Sequence, residues 1–296
     1  MDFEYFNKLI RKHRVICLFF GKKNFLKYIY RKQTEQKLNL KTPQSFREKL
    51  QLHKLTKEPL VARCANKSLV RQYVQEKIGE EYLIPQYFCK SKICTNDLKK
   101  LPQSFIIKTT NGSGTNLTII NKNKEDLQSI CNKMNSYTKI KYGYLWGEFF
   151  YDKTKNQIVA EKLLTKKIVY DYKIHCFRNN KGKFHQIIEV LWGPKNDRHK
   201  KMYDTNWKPL KYSFSLPPED QSFPKPKQLE ELLLLSAKLS GDFSYVRTDF
   251  YIVENKIFFG ELTFIPTAGF GRFNPTRFDN IWGSWIEDNI IRKDAL

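Results

Sequence analysis

Residues 245–269, Tyr-Val-Arg-Thr-Asp-Phe-Tyr-Ile-Val-Glu-Asn-Lys-Ile-Phe-Phe-Gly-Glu-Leu-Thr-Phe-Ile-Pro-Thr-Ala-Gly, constrain the fold more than any other stretch of the chain. Polar and apolar side chains alternate with a period of two on both sides of Glu254-Asn255-Lys256, the pattern of an antiparallel hairpin. A turn centred on Asn255 sets Asp249 opposite Glu261 and Arg247 opposite Thr263, all four on one face because alternate side chains share a face. The even-numbered Val246, Phe250, Ile252, Phe258, Leu262 and Phe264 form the opposite, core-facing set. Two carboxylates facing each other across a ladder destabilise a sheet, so something must offset them. A divalent cation does so: Mg2+ takes oxygen ligands and is usually held by one or two carboxylates plus substrate phosphates. The alternative is an exposed pair relieved by Arg247.

At 296 residues, 41% hydrophobic and 15% aromatic, the chain has the length and composition of a globular protein with a real core. Its net charge of +23 directs it toward anionic partners, among them nucleic acid, anionic lipid, nucleotides and acidic polysaccharide. The six cysteines form no CxxC pair and no zinc-spaced Cys/His cluster, which suits a reducing cytosol. There is no signal peptide, and no apolar run approaches the ~20 residues a membrane span needs. A soluble cytoplasmic protein is expected.

Residues 1–42 interleave aromatic and basic side chains. This pattern fits a helix lying on an anionic membrane surface, and also an ordinary amphipathic helix docked on the domain or a poorly ordered arm, which is the reading preferred. From Thr42-Pro43 a domain running to 296 begins, with a helix opened by Pro43 and a second over Asn66–Lys77 closed by Gly79. Strands follow at 86–88, 105–110, 117–120, 158–164, 169–177 and 184–191, with a helix over 124–136 and another over 229–239. Two α+β subdomains, about 66–163 and 164–290, are expected. The polar, Pro-rich stretch 193–227 reads as a mobile loop over a site.

Between two of these strands lies Asn111-Gly112-Ser113-Gly114, whose backbone N–H groups can cradle phosphate oxygens. It is not a Walker A loop, because no Gly-Lys-Ser/Thr follows and the next element is a strand. Lys108 on the incoming strand can reach a phosphate as a point charge. Glu161-Lys162-Leu163-Leu164 closes an apolar strand and can grip an adenine edge, or be a solvent-facing Glu-Lys pair. Asp171, Lys173 and His175 share a strand face, where Lys173 can bind phosphate and Asp171 a ribose hydroxyl or metal-bound water; a merely salt-linked face is the equal alternative.

Lys67 at a helix start, Phe-Ile-Ile-Lys108, the glycine loop, Glu161, Arg247-x-Asp249 and Glu261-x-Thr263-x-x-Pro266 occur in the order of the ATP-grasp fold. Narrower blocks resemble the teichuronopeptide-biosynthesis (TupA-like) ATP-grasp family over roughly residues 40–285. These are Pro43-Gln-Ser-Phe-Arg-Glu-Lys-Leu, Val70-Arg-Gln-Tyr-Val, Gly79-Glu-Glu-Tyr-Leu-Ile-Pro, Asp171-Tyr-Lys-Ile-His-Cys-Phe, Tyr203-Asp-Thr-Asn-Trp and Phe259-Gly-Glu-Leu-Thr-Phe. The resemblance implies an α+β ATP-grasp fold whose two subdomains clamp ATP, with Mg2+ bridging its phosphates. It implies Lys67, Lys108, Asn111, Gly112, Ser113, Gly114, Lys162, Leu164, Asp171 and Lys173 as nucleotide contacts and Glu161 as an adenine-side residue. Asp249, Glu261 and Thr263 would be the metal ligands, and Arg247 and Lys173 would stabilise the transferring phosphate. Two positions depart from the superfamily pattern: Asn66 stands where an aspartate is expected, and Thr263 where most ATP-grasp enzymes place an asparagine. The implied reaction joins a carboxylate to an amine through an acyl phosphate, with an acidic, uronic-acid-bearing glycan precursor and an amine donor as partners. Rival readings are a glycosyltransferase of the same pathway, against which no Asp-x-Asp is present, and a non-catalytic binder of anionic polymers. Nucleic acid is not the expected partner, because no helix-turn-helix, zinc or RNA-recognition motif occurs.

Overall fold

A computed structural model describes residues 3–194, 197–215 and 222–292. Helix α1 spans Phe3–Thr34 and changes direction at Gly21. Three short helices follow, α2 Phe46–His53, α3 Pro59–Ala65 and α4 Val70–Ile78. Then come β1 Gln86–Lys90, α5 Thr95–Lys99, β2 Phe105–Thr109, β3 Leu117–Ile119, α6 Leu127–Tyr137, α7 Gly143–Trp146 and β4 Ile158–Lys162. The remainder comprises β5 Asp171–Arg178, β6 Phe184–Trp192, β7 His199–Tyr203, β8 Ser213–Phe214, α8 Leu229–Leu239, β9 Tyr245–Val253, β10 Lys256–Thr263, β11 Phe273–Asn274 and α9 Arg277–Gly283. The mixture of helices with antiparallel sheets is α+β. One sheet has the order β1-β4-β2-β3, a second β10-β9-β5-β6-β7, and β11 pairs with β8.

The C-terminal hairpin keeps the expected partners by a different route. Its two-residue turn, Glu254-Asn255, has positive φ at both positions, a geometry that Asn tolerates well. That turn alone would put Asp249 and Glu261 out of register. A bulge between Phe259 and Glu261 restores the pairs Asp249↔Glu261 and Arg247↔Thr263. Gly260 sits at the bulge, and a Cβ there would come within 3.0 Å of the Asp249 carbonyl oxygen. The extra residue also flips the parity of the first half of β10. Ile257 and Phe259 are therefore buried, whereas Phe258, assigned to the core from its even number, is only partly covered.

Local capping corrects two helix starts. Pro43 precedes α2 rather than opening it: Ser45 is the N-cap, its hydroxyl accepting from the Glu48 N–H while Glu48 reaches back to the Ser45 N–H. Asn66 lies before α4 and its side-chain oxygen accepts from the N–H groups of Ser68 and Leu69, a turn that an aspartate would make equally well. The stretch 193–227 is not an unstructured loop where it is described. Lys200–Tyr203 pairs with β6, and Ser213–Phe214 pairs with β11. Residues 195–196 and 216–221 of that stretch lie outside the described residues.

The largest core cluster surrounds the five-stranded sheet, where Phe46, Phe177, Tyr245 and Trp282 meet edge to face. A second lies under the four-stranded sheet, with Met134 of α6 against Phe105 and Ile107. A third docks the back half of α1 through Phe25, Leu26, Ile29 and Tyr30 against Phe149, the docked helix expected of this segment.

Three histidines are sealed in these layers: His13, His53 and His175 are 5%, 1% and 0% exposed. Burial holds each below its ordinary value, His53 at about 4 despite its bond to the Glu287 carbonyl. Such groups contribute stability that is present above pH 6.5 and lost as the pH falls through the folded-state value. Acidification from about 6.5 to about 4 should lower the urea midpoint, His53 alone accounting for about 3 kcal/mol at roughly 1.4 kcal/mol per pH unit. His53→Gln keeps a donor for Glu287 and should flatten this decline in urea titrations across pH; an unchanged slope would remove His53 from the account.

Candidate functional site

Five strands and one loop carry cationic and acidic side chains into the space between the two larger sheets. Register places Lys173 of β5 beside Asp249 of β9, and Asp249 beside Glu261 of β10. The Lys173 Nζ lies 2.6 Å from Asp249 Oδ2 and 3.5 Å from Asp171 Oδ2. Arg247 grips Asp249 with both arms, Nε to Oδ1 at 2.7 Å and Nη2 to Oδ2 at 2.6 Å, and its Nη2 also donates to the Thr263 hydroxyl at 3.1 Å. Thr263 donates in turn to Glu261 Oε1 at 3.1 Å. From the helical side, Lys67 Nζ donates to the Gly112 carbonyl at 2.6 Å and stands 3.9 Å from Glu261 Oε2.

Lys67 and Arg247, whose Nη2 is 3.7 Å from Glu261 Oε1, thus flank Glu261 directly. Burial alone would raise its carboxyl, but Lys67, Arg247, Lys173 and Lys108 together hold it down at about 2. Burial works against the Lys173 ammonium, yet Asp249 and Asp171 raise it on balance; Arg247 is likewise raised, chiefly by Asp249. Lys67 is lowered by burial, with Glu261 only partly restoring it. Asp171, pushed up by burial despite Lys173, is the least firmly ionised member. The two opposed carboxylates are therefore not an exposed pair relieved by one arginine. Asp249 is 4% exposed and sits beneath Arg247 and Lys173, while Glu261 opens onto a cavity.

That cavity has a volume of about 640 Å³, with Lys67, Arg247, Glu261 and Thr263 on one side and Gly112 and Ser113 on another. Gly112 and Gly114 have φ of +76° and +79°, and a Cβ on Gly112 would run into the Tyr142 ring, so the loop needs glycine there. Asn111 corrects the expectation of a phosphate donor. Its N–H is taken by Asn156, and its side chain, 3% exposed, donates to the Tyr151 carbonyl at 2.8 Å and accepts from Asn66 at 2.8 Å. It braces the loop. Lys108 and Glu161 form a 2.6 Å ion pair on neighbouring strands and do not line this cavity. Glu161 is therefore not a solvent-facing residue; Lys162 is, and Leu164 lies in the link between β4 and β5. His175 shares the register of Lys173 but is a core residue, bonded to the Tyr245 hydroxyl and to Glu189.

Sequence reasoning missed the far wall of the cavity. Glu148, Trp146, Phe270 and Arg272 line it, contributed by the end of α7, the turn after it and the segment after β10. Among the described residues the Glu148 carboxylate has no hydrogen bond or ion pair. Burial, opposed by Lys54 and reinforced by Glu261, pushes it up to about 7. No periodic pattern marks such residues, since they lie in irregular segments or at the end of a one-turn helix.

Among the described residues no group of three or more His, Cys, Asp or Glu side chains is disposed to hold a metal unaided. The donors present suit Mg2+ arriving with phosphate oxygens, Glu261 facing the cavity with Asp249 behind it.

No curated protein matches the chain in sequence. Among solved structures, D-alanine–D-alanine ligase from Helicobacter pylori is 16% identical, with a TM-score of 0.39 over 76% of this chain and 61% of that one. D-alanyl-alanine synthetase A from Vibrio cholerae is 11% identical, with a TM-score of 0.42 over 70% and 57%. N5-carboxyaminoimidazole synthetase from Staphylococcus aureus, complexed with ADP, is 15% identical, with a TM-score of 0.34 over 67% and 43%. The chain thus spans less than two thirds of each, and these likenesses are remote. A family model described as TupA-like ATPgrasp matches residues 48–287, most of the sequence, and on that match the chain belongs to the TupA-like ATP-grasp family.

Proposed function

We propose that the protein is an ATP- and Mg2+-dependent ligase that activates a carboxylate as its acyl phosphate and joins it to an amine. One observation carries this reading: Lys67 and Arg247 flank the Glu261 carboxylate at the wall of a cavity faced by a glycine loop, in a chain of an ATP-grasp family. Basic side chains and a glycine-loop backbone beside a cavity-facing carboxylate suit a triphosphate that arrives with Mg2+.

In this reading Lys67 and Lys173 neutralise the phosphates, the Gly112–Ser113 backbone lies against them, and Lys108 stays back from the cavity in its pair with Glu161. Mg2+ held by Glu261, with Asp249 and Thr263 in support, supplies further neutralisation of charge. A substrate carboxylate oxygen attacks the γ-phosphorus and the bond to the bridging oxygen breaks, releasing ADP and leaving an acyl phosphate. Arg247 faces the charge that develops on the transferring group. The amine nitrogen then attacks the acyl carbon, phosphate departs with its electron pair, and the amine gives up its proton. Glu148, which lines the same cavity and whose carboxylate makes no hydrogen bond or ion pair among the described residues, is assigned to the incoming ammonium. The net charge of +23 supports an acidic acceptor such as a uronic-acid-bearing glycan precursor, with an amino acid or amino sugar as donor. Dependence on ATP supports a cytoplasmic site for the reaction.

Thermal-shift titration tests the nucleotide. Mg·ATP should raise the melting temperature, whereas a UDP-sugar or duplex DNA should not, because only a ligand of the folded state stabilises it. A UDP-sugar shift without an ATP shift would favour a glycosyltransferase. The amine assignment is read separately in an ADP-release assay with glucuronate or galacturonate and a panel of amino acids and amino sugars. Glu148→Gln should raise the KM for the amine by about ten- to a hundredfold, the size of a lost bond to a charged group. The Mg·ATP shift should stay unchanged; an unaltered amine KM would make Glu148 a wall residue.

A further inference from the structure

Helix α1 exposes a run of large apolar side chains where a solvated helix would hide them. Leu18, Phe19 and Phe20 are 80%, 79% and 66% exposed, and Val15 is 51% exposed, just before the change of direction at Gly21. This corner is held in place on both sides. Ahead of it His13 bonds the carbonyls of Tyr144 and Leu145, and behind it Phe25, Leu26 and Ile29 are buried. At the corner itself Asn24 donates to the Phe20 carbonyl at 2.9 Å. The apolar residues stand on a docked element, at a fixed place.

Arg11, Lys12, Lys23 and Lys27 are exposed around them. No acidic residue occurs between Glu4 and Glu35. We propose that this corner of α1 docks the protein on the surface of an anionic lipid bilayer, Leu18, Phe19 and Phe20 entering the interfacial layer while the basic residues meet the headgroups.

Three features favour a bilayer over a protein partner. Consecutive helical residues point about 100° apart, so 18, 19 and 20 fan around the axis instead of forming a flat face. An isotropic interfacial layer accepts such a knob, whereas a groove accepts a stripe. A second copy would bring the same positive rim against itself. Large apolar side chains with basic neighbours also combine the two attractions that stable peripheral binding requires. Among the described residues no helix is long and apolar enough to cross a membrane, so the contact is a surface one. Beyond the change of direction α1 reaches the cavity at Gln33, twelve residues or about 18 Å along the helix from Gly21. A lipid-borne acceptor is within range of that cavity. The docking proposal itself stands without the ligase reading.

The full chain is sedimented with vesicles of phosphatidylcholine alone and of equimolar phosphatidylcholine and phosphatidylglycerol. Binding is expected only to the anionic vesicles and should weaken as salt is raised. Replacing Leu18, Phe19 and Phe20 together by Ser should weaken it at least about tenfold. An Arg11→Gln, Lys12→Gln, Lys23→Gln variant should lose it to a similar extent, with the melting temperature of both variants unchanged. Equal binding to both vesicle types, or undiminished binding by the serine variant, overturns the proposal. So does self-association of the wild type that the serine changes abolish while vesicles remain unbound, which would make the corner an interface between copies.

Discussion

Glu261→Gln should lower ATP turnover by about a hundred- to a thousandfold while leaving the fold intact, the range seen when one preorganised charge-stabilising group is removed. Glu261 is the better test than Asp249 for a structural reason. Its side chain is 40% exposed and faces the cavity, so neutralising it leaves Lys67 and Arg247 with other partners, the Gly112 carbonyl and Asp249. Asp249→Asn would instead strip the partner from two buried cations and confuse loss of chemistry with loss of folding. The check is ADP release alongside the melting temperature, with and without Mg2+. A variant that retains turnover would separate Glu261 from the metal.

Arg247→Met should be the most destabilising change in the site, by about 3–5 kcal/mol, the cost of breaking a buried, hydrogen-bonded ion pair by removing one member. Its guanidinium makes two bonds of 2.7 and 2.6 Å to a carboxylate whose side chain is only 5% exposed. Lys173 at 2.6 Å would be left to carry Asp249. The Arg247→Met, Asp249→Asn double variant should be more stable than the sum of its single changes implies, because the second change removes the stranded charge created by the first. Urea unfolding of the four proteins gives the coupling directly. Additive effects would mean that the bidentate contact carries no structural weight, and that Arg247 is free to serve the phosphate alone.

The hairpin was legible because strand alternation survives on both of its arms, and it delivered Asp249 opposite Glu261. The bulge that makes this pairing possible was not legible: only Gly260 marks it, and a single glycine in a strand has several uses. Phe258 was misassigned for that reason. Strand β7 was hidden because it is an edge strand whose residues His199, Lys200 and Lys201 read as polar loop, although Lys200 is buried against the Phe214 carbonyl and Glu189. Asn111 shows a different limit. Its place in a glycine loop suggested a ligand contact, and only its bonds to Asn66, Tyr151 and Asn156 reveal a brace. Glu148 lay beyond reach altogether, because its meaning comes from Glu261 and Lys54, each about a hundred residues away in the chain.

The most direct test is a crystal structure with Mg2+ and a non-hydrolysable ATP analogue. The account predicts the terminal phosphates between the Gly112–Ser113 backbone and Glu261, with Lys67 and Lys173 in contact and the metal on Glu261. A nucleotide bound elsewhere, with Arg247 and Lys173 still closed on Asp249 and no metal at Glu261, would contradict it.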